Sequence, residues 1–262
     1  MPWLPDGAPK AAVVIVHGIA EHCGRYAPLA GFLASRGYGV QTFALRGHGR
    51  SGGPRARIED FGQYTADAES AIDALVAGAG KLPLFLIGHS MGSLIALEAA
   101  LRSGDGMAGV ISSGTPLALA DLPVALRGLA GILSRAAPGL PLLRLSSAAV
   151  CRDPRVVADY DTDPLNYRGR LRARVVHELI AHACGVRARL DRLRVPLLVL
   201  HGGSDRLAAP SGSRSLFERA ASADKTLKIY PGLFHEIFNE PERETVFADI
   251  VDWLDRRSPR GR

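Results

Sequence analysis

Six short apolar runs punctuate the chain: Ala11–His17, Tyr38–Leu45, Pro83–Ile87, Gly109–Ser112, Pro196–Leu200 and Thr226–Tyr230. They are nearly continuous in Val, Ile and Leu rather than alternating, the pattern of strands covered on both faces. Between them the apolar spacing changes to three and four. Tyr26–Arg36 shows this spacing and stops at Gly37, a residue suited to the left-handed position just past a helix end. Phe61–Ala77 sets Phe61, Tyr64, Ala68, Ile72 and Leu75 along one stripe, and Ser90–Arg102, Ser211–Ala220 and Glu242–Arg256 also read as helices. This alternation predicts an α/β fold with a mostly parallel, doubly wound sheet.

The alternation breaks between Thr115 and Val195. Leu122, Leu126, Leu129 and Leu133 mark one apolar face there, interrupted by Pro116, Pro123, Pro138 and Pro141 and loosened by Gly128, Gly131 and Gly139. No strand is evident. The segment reads as a helical cap, residues 115–194, inserted into a core made of residues 1–114 and 195–262.

Composition narrows the class. With 262 residues, 47% apolar and 22% charged, the chain can bury a core and is not disordered. The net charge is +6, and the basic residues are 28 Arg and 4 Lys. They are scattered, without zinc-finger spacing or a long run, so nucleic acid is not an expected partner; the excess of Arg reads as an Arg-favouring codon bias, with a weak attraction to anionic lipid as the alternative. Cys23, Cys151 and Cys184 lie too far apart for a CxxC metal site, and an odd scattered set gives no disulfide framework. No secretory leader pattern and no long charge-free apolar stretch appear. The expected location is the cytoplasm, at most peripheral to a membrane, for a monomer or homodimer that needs neither metal nor cofactor.

The chemistry is concentrated in Gly88-His89-Ser90-Met91-Gly92, which follows one apolar run and opens a helical one. That is the strand–turn–helix setting of a nucleophile elbow, where Ser90 is lifted above the sheet at a helix N-terminus. A serine hydroxyl needs a base. In this setting the partners follow as Ser, Asp, His. His235 sits just after the last run and Asp205 just after the run Pro196–Leu200, both in loops on one edge of the sheet. Asp191 and Asp224 are worse placed. Acyl transfer also needs oxyanion donors, for which the backbone N–H groups of Met91 and Ile19 are the candidates. His17 and His89 read as structural, His48 as part of a Gly-rich turn, His201 as a residue before a turn. His177 and His182 give no metal spacing.

Several stretches together resemble the monoacylglycerol lipases, serine hydrolases of the α/β-hydrolase fold. They are His17-Gly18-Ile19-Ala20-Glu21-His22-Cys23-Gly24-Arg25-Tyr26, Arg46-Gly47-His48-Gly49-Arg50-Ser51, the elbow, Asp161-Thr162-Asp163-Pro164-Leu165, His201-Gly202 through Asp205-Arg206, and Lys228-Ile229-Tyr230-Pro231-Gly232 through His235-Glu236. The resemblance implies esters of glycerol carrying one fatty acyl chain as substrates. It also implies that Glu21 and Arg25 lie near the pocket's polar end, unless they pair with each other to hold the loop. Two features depart from the family. Ile19 stands where smaller residues are common, and only Met1-Pro2-Trp3-Leu4-Pro5 precedes the Asp6-Gly7 turn, so the family's N-terminal hairpin is reduced or absent.

The expected reaction is ester hydrolysis: Ser90 attacks the acyl carbonyl, His235 moves the proton, Asp205 orients His235, and Ile19 and Met91 N–H hold the oxyanion. The segment Pro116–Leu145 can line an acyl channel, or its leucines, with Arg127, Arg135 and Arg144, can meet a lipid surface. Lysophospholipase, thioesterase and small-ester carboxylesterase activities use the same residues. A non-catalytic lipid-binding protein is the alternative of another class. Cys23, in the oxyanion loop, is expected close to the site, where bulky thiol reagents should slow the enzyme, or else is simply a small residue filling a turn.

Overall fold

All six apolar runs enter one seven-stranded sheet in the computed structural model, which describes residues 2–79, 82–103 and 106–258. The strands are β1 (Pro2–Trp3), β2 (Ala12–Val16), β3 (Gly39–Thr42), β4 (Leu84–His89), β5 (Gly109–Ser113), β8 (Leu197–Gly202) and β9 (Lys225–Tyr230), in the order β1-β3-β2-β4-β5-β8-β9. All neighbours pair in parallel except β1, which is antiparallel to β3. The expected N-terminal hairpin is therefore represented by a two-residue strand, with Trp3 packed against the core.

Continuous rather than alternating runs follow from burial on both faces. In β2, Val14 and Val16 face one cluster while Val13 and Ile15 face the other. Helices α2 (Gly62–Ala79), α3 (Met91–Ser103) and α7 (Ser211–Arg219) cover the first face, and α1 (Ala27–Ser35) and α8 (Arg243–Asp255) the second. Gly37 ends α1 at φ 89°, as its position predicts.

The segment between β5 and β8 holds α4 (Val124–Ala136), α5 (Pro154–Thr162) and α6 (Ala173–Arg187). One expectation needs correction here: the segment does contain strands, β6 (Pro141–Leu143) and β7 (Leu171–Arg172), which pair antiparallel. They are too short to leave a pattern, and Pro141 argues against one. Of the alternatives left open for the α4 leucines, the structure turns Leu126 and Leu129 outward. The buried residues of α4 are Ala130, Gly131 and Ser134, whereas Leu126 is 52% and Leu129 49% exposed. Small residues let α4 approach α6 closely; a side chain at Gly131 would meet the His177 ring at 3.4 Å. Helix α6 in turn buries Val175, Leu179, Ala183 and Val186 in the same cluster as the sheet.

Candidate active site

The parallel register brings the C-terminal ends of β4, β5, β8 and β9 to one edge, where Val16 pairs with Gly88, His89 with Ser113, and Gly202 with Tyr230. The chain leaves β4 at Ser90, whose φ of 53° is a left-handed conformation that costs a non-glycine residue energy. Surrounding bonds hold it there. Ser90 N–H donates to Ser113 O at 2.8 Å, and Ser90 O accepts from Ser93 N at 2.9 Å and Ser93 Oγ at 2.6 Å. The flanking glycines are required by space. A Cβ on Gly88 would lie 2.3 Å from Gly92 O, and one on Gly92 would lie 2.1 Å from Val16 O.

His235 and Asp205 come from neighbouring loops. These loops are tied by Gly203 N–H to Tyr230 O at 2.7 Å and Ser204 N–H to Leu233 O at 2.9 Å. His235 Nδ1 donates to Asp205 Oδ2 at 2.6 Å, which fixes the tautomer and leaves Nε2 free of its proton. Burial depresses the basicity of His235, but the Asp205 hydrogen bond and charge outweigh it and the pKa is raised. Burial pushes Asp205 up, yet hydrogen bonds from His201, His235 and Ala208 N–H leave its carboxyl well below the usual range. Ser90 and His235 border one cavity together with Ile19 and Met91, so the four expected reacting positions converge. Asp191 lies in a short turn at residues 190–192, and Asp224 pairs with Arg257.

The loop that follows β2 is held by charge. Glu21 Oε1 accepts from Gly18 N–H at 2.6 Å and from Tyr26 Oη at 2.7 Å, while Glu21 Oε2 accepts from Arg25 Nε at 3.2 Å. Arg25 also bonds Glu236, the residue after His235, and lies 4.7 Å over the Tyr160 ring. Glu21 borders the cavity; Arg25 stands behind the two carboxylates rather than on the wall. His22 Nε2 donates to Asp163 Oδ2 at 2.7 Å, and Tyr167 N–H donates to Ala20 O at 2.9 Å. The first of these bonds ties the Asp161–Leu165 motif to the loop motif.

The remaining expectations divide. His17 is structural: Nδ1 donates to Gly18 O at 2.6 Å, Nε2 accepts from Leu45 N–H at 3.0 Å, and burial lowers its pKa to about 4. His89 lies 3.2 Å from Ser113 Oγ, with its ring 4.7 Å from that of His235. His48 Nδ1 donates to Arg46 O at 2.9 Å, and burial takes its pKa down to about 3. Cys23 departs from expectation. It does not border the cavity; its thiol is hydrogen-bonded by Thr42 and burial raises its pKa, so little nucleophilic thiolate is present near neutrality. The expected slowing by thiol reagents loses its basis.

Sequence reasoning missed His201, Glu236 and Glu240. Glu240 is fully buried and accepts from Phe234 N–H at 2.8 Å and Arg152 Nε at 2.9 Å, holding the His235 loop. Its only signal was the recurrence of Glu after His235.

A mostly parallel sheet with a glycine-flanked serine between β4 and α3, and a His–Asp pair on the next loops, defines an α/β hydrolase. The chain belongs to the hydrolase family described as serine aminopeptidase, S33, whose family profile matches residues 7–242. It is 39% identical over 253 residues to the monoacylglycerol lipase of Mycolicibacterium smegmatis, covering 96% of this chain and 90% of that one. It is 37% identical to the monoglyceride lipase of Homo sapiens, covering 98% and 86%. The crystal structure of Paleococcus ferrophilus monoacylglycerol lipase superimposes with a TM-score of 0.86 at 34% identity, covering 98% of each chain.

Proposed function

We propose that this hydrolase cleaves monoacylglycerols to fatty acid and glycerol through an acyl-enzyme on Ser90, with His235 as base and Asp205 orienting it. The observation that carries the reading is the cavity itself. Ser90 and His235 line it together with two kinds of surface, the apolar side chains of Leu119, Leu143, Leu145 and Leu179 and the carboxylates of Glu21 and Glu236. One hydrocarbon chain suits the first, and an alcohol rich in hydroxyl donors suits the second. Burying the chain contributes about 0.8 kcal/mol per CH2. Ile19 and Met91 N–H would take the oxyanion. The acyl wall comes largely from residues 115–194, which supports their role as a cap over a core of residues 1–114 and 195–262.

The test is a fluorophosphonate adduct mapped by mass spectrometry, with rates on 1- and 2-monoacylglycerols, lysophospholipids, acyl thioesters and short esters. The expected result is labelling of Ser90 and a preference for monoacylglycerols. An adduct elsewhere, or faster turnover of a thioester or lysophospholipid, overturns the reading. A protein that only bound lipid would give no turnover.

The base must be neutral to accept the Ser90 proton. Because the His235 pKa is raised from an ordinary value of about 6.5, the acid limb of kcat/KM should lie above that value. Activity present at higher pH is lost as pH falls through the raised pKa. A limb below the ordinary imidazole value would contradict the Asp205–His235 pairing.

Among the described residues, no helix is long and apolar enough to cross a membrane. Among the described residues, the exposed large apolar side chains apart from Leu4 are Val124, Leu126, Leu129, Ile132, Leu140 and Leu143, all around α4 and β6. Arg135 and Arg144 are exposed in the same stretch. A cytoplasmic enzyme could use this face for peripheral contact with an anionic bilayer. Leu129→Asp with Ile132→Asp should weaken co-sedimentation with anionic vesicles and leave hydrolysis of a water-soluble ester unchanged. Undiminished sedimentation would exclude this face.

A further inference from the structure

The Asp205 carboxylate is shared by a second imidazole. His201, near the end of β8, is fully buried. Its Nε2 lies 2.9 Å from Ala208 O and 3.0 Å from Asp205 Oδ2. Both are acceptors, so Nε2 carries a proton whatever the charge of the ring. Nδ1 lies 2.6 Å from Ser213 Oγ on α7, and Ser213 is also fully buried. On its other oxygen, Asp205 Oδ1 accepts from Leu207 N–H at 2.8 Å and Ala208 N–H at 2.9 Å. His201 thus grips the turn twice, at the carboxylate and at the Ala208 carbonyl.

We propose that His201, oriented by Ser213, is a positioning residue for the hydrolytic reaction, fixing the Asp205 carboxylate in the one orientation that serves His235. The proposal rests on the reading of Ser90, His235 and Asp205 as the reacting set. Asp205 Oδ2 faces both His235 Nδ1 and His201 Nε2. Two N–H groups therefore draw on one oxygen. Without His201, the charge on that oxygen would act on His235 alone and favour its imidazolium. The carboxylate would also gain freedom to rotate. The first effect raises the acid limb of activity; the second lowers kcat without touching substrate contacts. The other charged and titratable groups facing His235 are His89, Glu236 and Glu21, with Arg25 behind them; of these, His89 also feels the charge of His201 and Asp205, so the His201 variants act on His235 through the Asp205 carboxylate and, secondarily, through His89.

The test compares His201→Leu, His201→Gln and Ser213→Ala in the full chain. The readouts are pH profiles of short-ester hydrolysis and of Ser90 labelling by a fluorophosphonate. His201→Leu should lower kcat by up to roughly 100-fold, the cost of a small misplacement, with KM little changed and the acid limb moved to higher pH. His201→Gln returns an N–H donor and should recover most of both. Ser213→Ala should shift the limb in the same direction by less. An unmoved limb in His201→Leu, with kcat falling only as the titratable Ser90 fraction falls, overturns the proposal. So does a His201→Gln variant as impaired as His201→Leu. Where His201→Leu does not fold, Ser213→Ala decides, and an unmoved limb there overturns it. An adduct on any residue but Ser90 in the unaltered protein overturns the reacting set itself, and is seen before any variant is made.

Discussion

Ser90→Ala is expected to lower kcat by about 10⁶-fold, the loss seen when the nucleophile of a Ser–His–Asp set is removed. The size follows from how the group is placed. The strained backbone at Ser90 holds Oγ at the cavity wall, and His235, with Nδ1 committed to Asp205, offers only Nε2 as a base. Without the hydroxyl, His235 has no proton to take and no acyl-enzyme forms. The proposed oxyanion donors, Ile19 and Met91 N–H, remain, so a residual rate of about 10³–10⁴-fold over water should persist. Ser90 belongs to neither of the two core clusters that flank the sheet, so folding should survive the change. The measurement is steady-state hydrolysis of a monoacylglycerol together with binding of the same lipid to the variant. Retained binding with lost turnover is the expected pair of results. Hydrolysis within a few fold of the unaltered protein would place the nucleophile elsewhere.

The elements that carry this chemistry were legible because their signals are local. Strands β2, β4, β5 and β8 are apolar on both faces, and such runs stand out in any sequence. The elbow declares itself by small residues on either side of Ser90. What escaped notice depends on partners far along the chain. Glu236 acquires its partner, Arg25, from 211 positions away, and His22 meets Asp163 across 141. His201 looked like a residue before a turn because Ser213, which orients it, lies on a helix that the pattern does not connect to it. The leucines of α4 were assigned to one face, but whether that face met an acyl channel, a lipid surface or the rest of the cap stayed open. Apolar spacing identifies a face but not what covers it, and here the small residues on the opposite side pack against α6.

Gly92→Ala tests the elbow from the side of stability. The added methyl would sit 2.1 Å from Val16 O and 2.6 Å from His17 O. Neither carbonyl can retreat: Val16 and His17 are fully buried, and Val16 lies in β2 paired in register with Gly88 of β4. Nor can α3 shift outward alone, because Met91, Leu94 and Ile95 are packed in the core. Relief therefore requires prying α3 from the sheet, at the upper end of the overpacking range, about 3 kcal/mol. For a chain of this size that corresponds to a fall in Tm of roughly 6–12 °C. Because the same displacement moves Ser90 against His235 and shifts Met91 N–H, labelling by a fluorophosphonate should also slow by about 100-fold. Gly128→Ala is the matching control. Gly128 is exposed on α4 with nothing within 4 Å of the added carbon. Alanine there should raise stability by up to about 1 kcal/mol through helix propensity alone. Scanning calorimetry on the two variants separates a steric demand at the elbow from a general intolerance of glycine replacement. An unchanged Tm for Gly92→Ala would mean that the elbow tolerates a side chain, and the spatial argument for the glycine pair would fail.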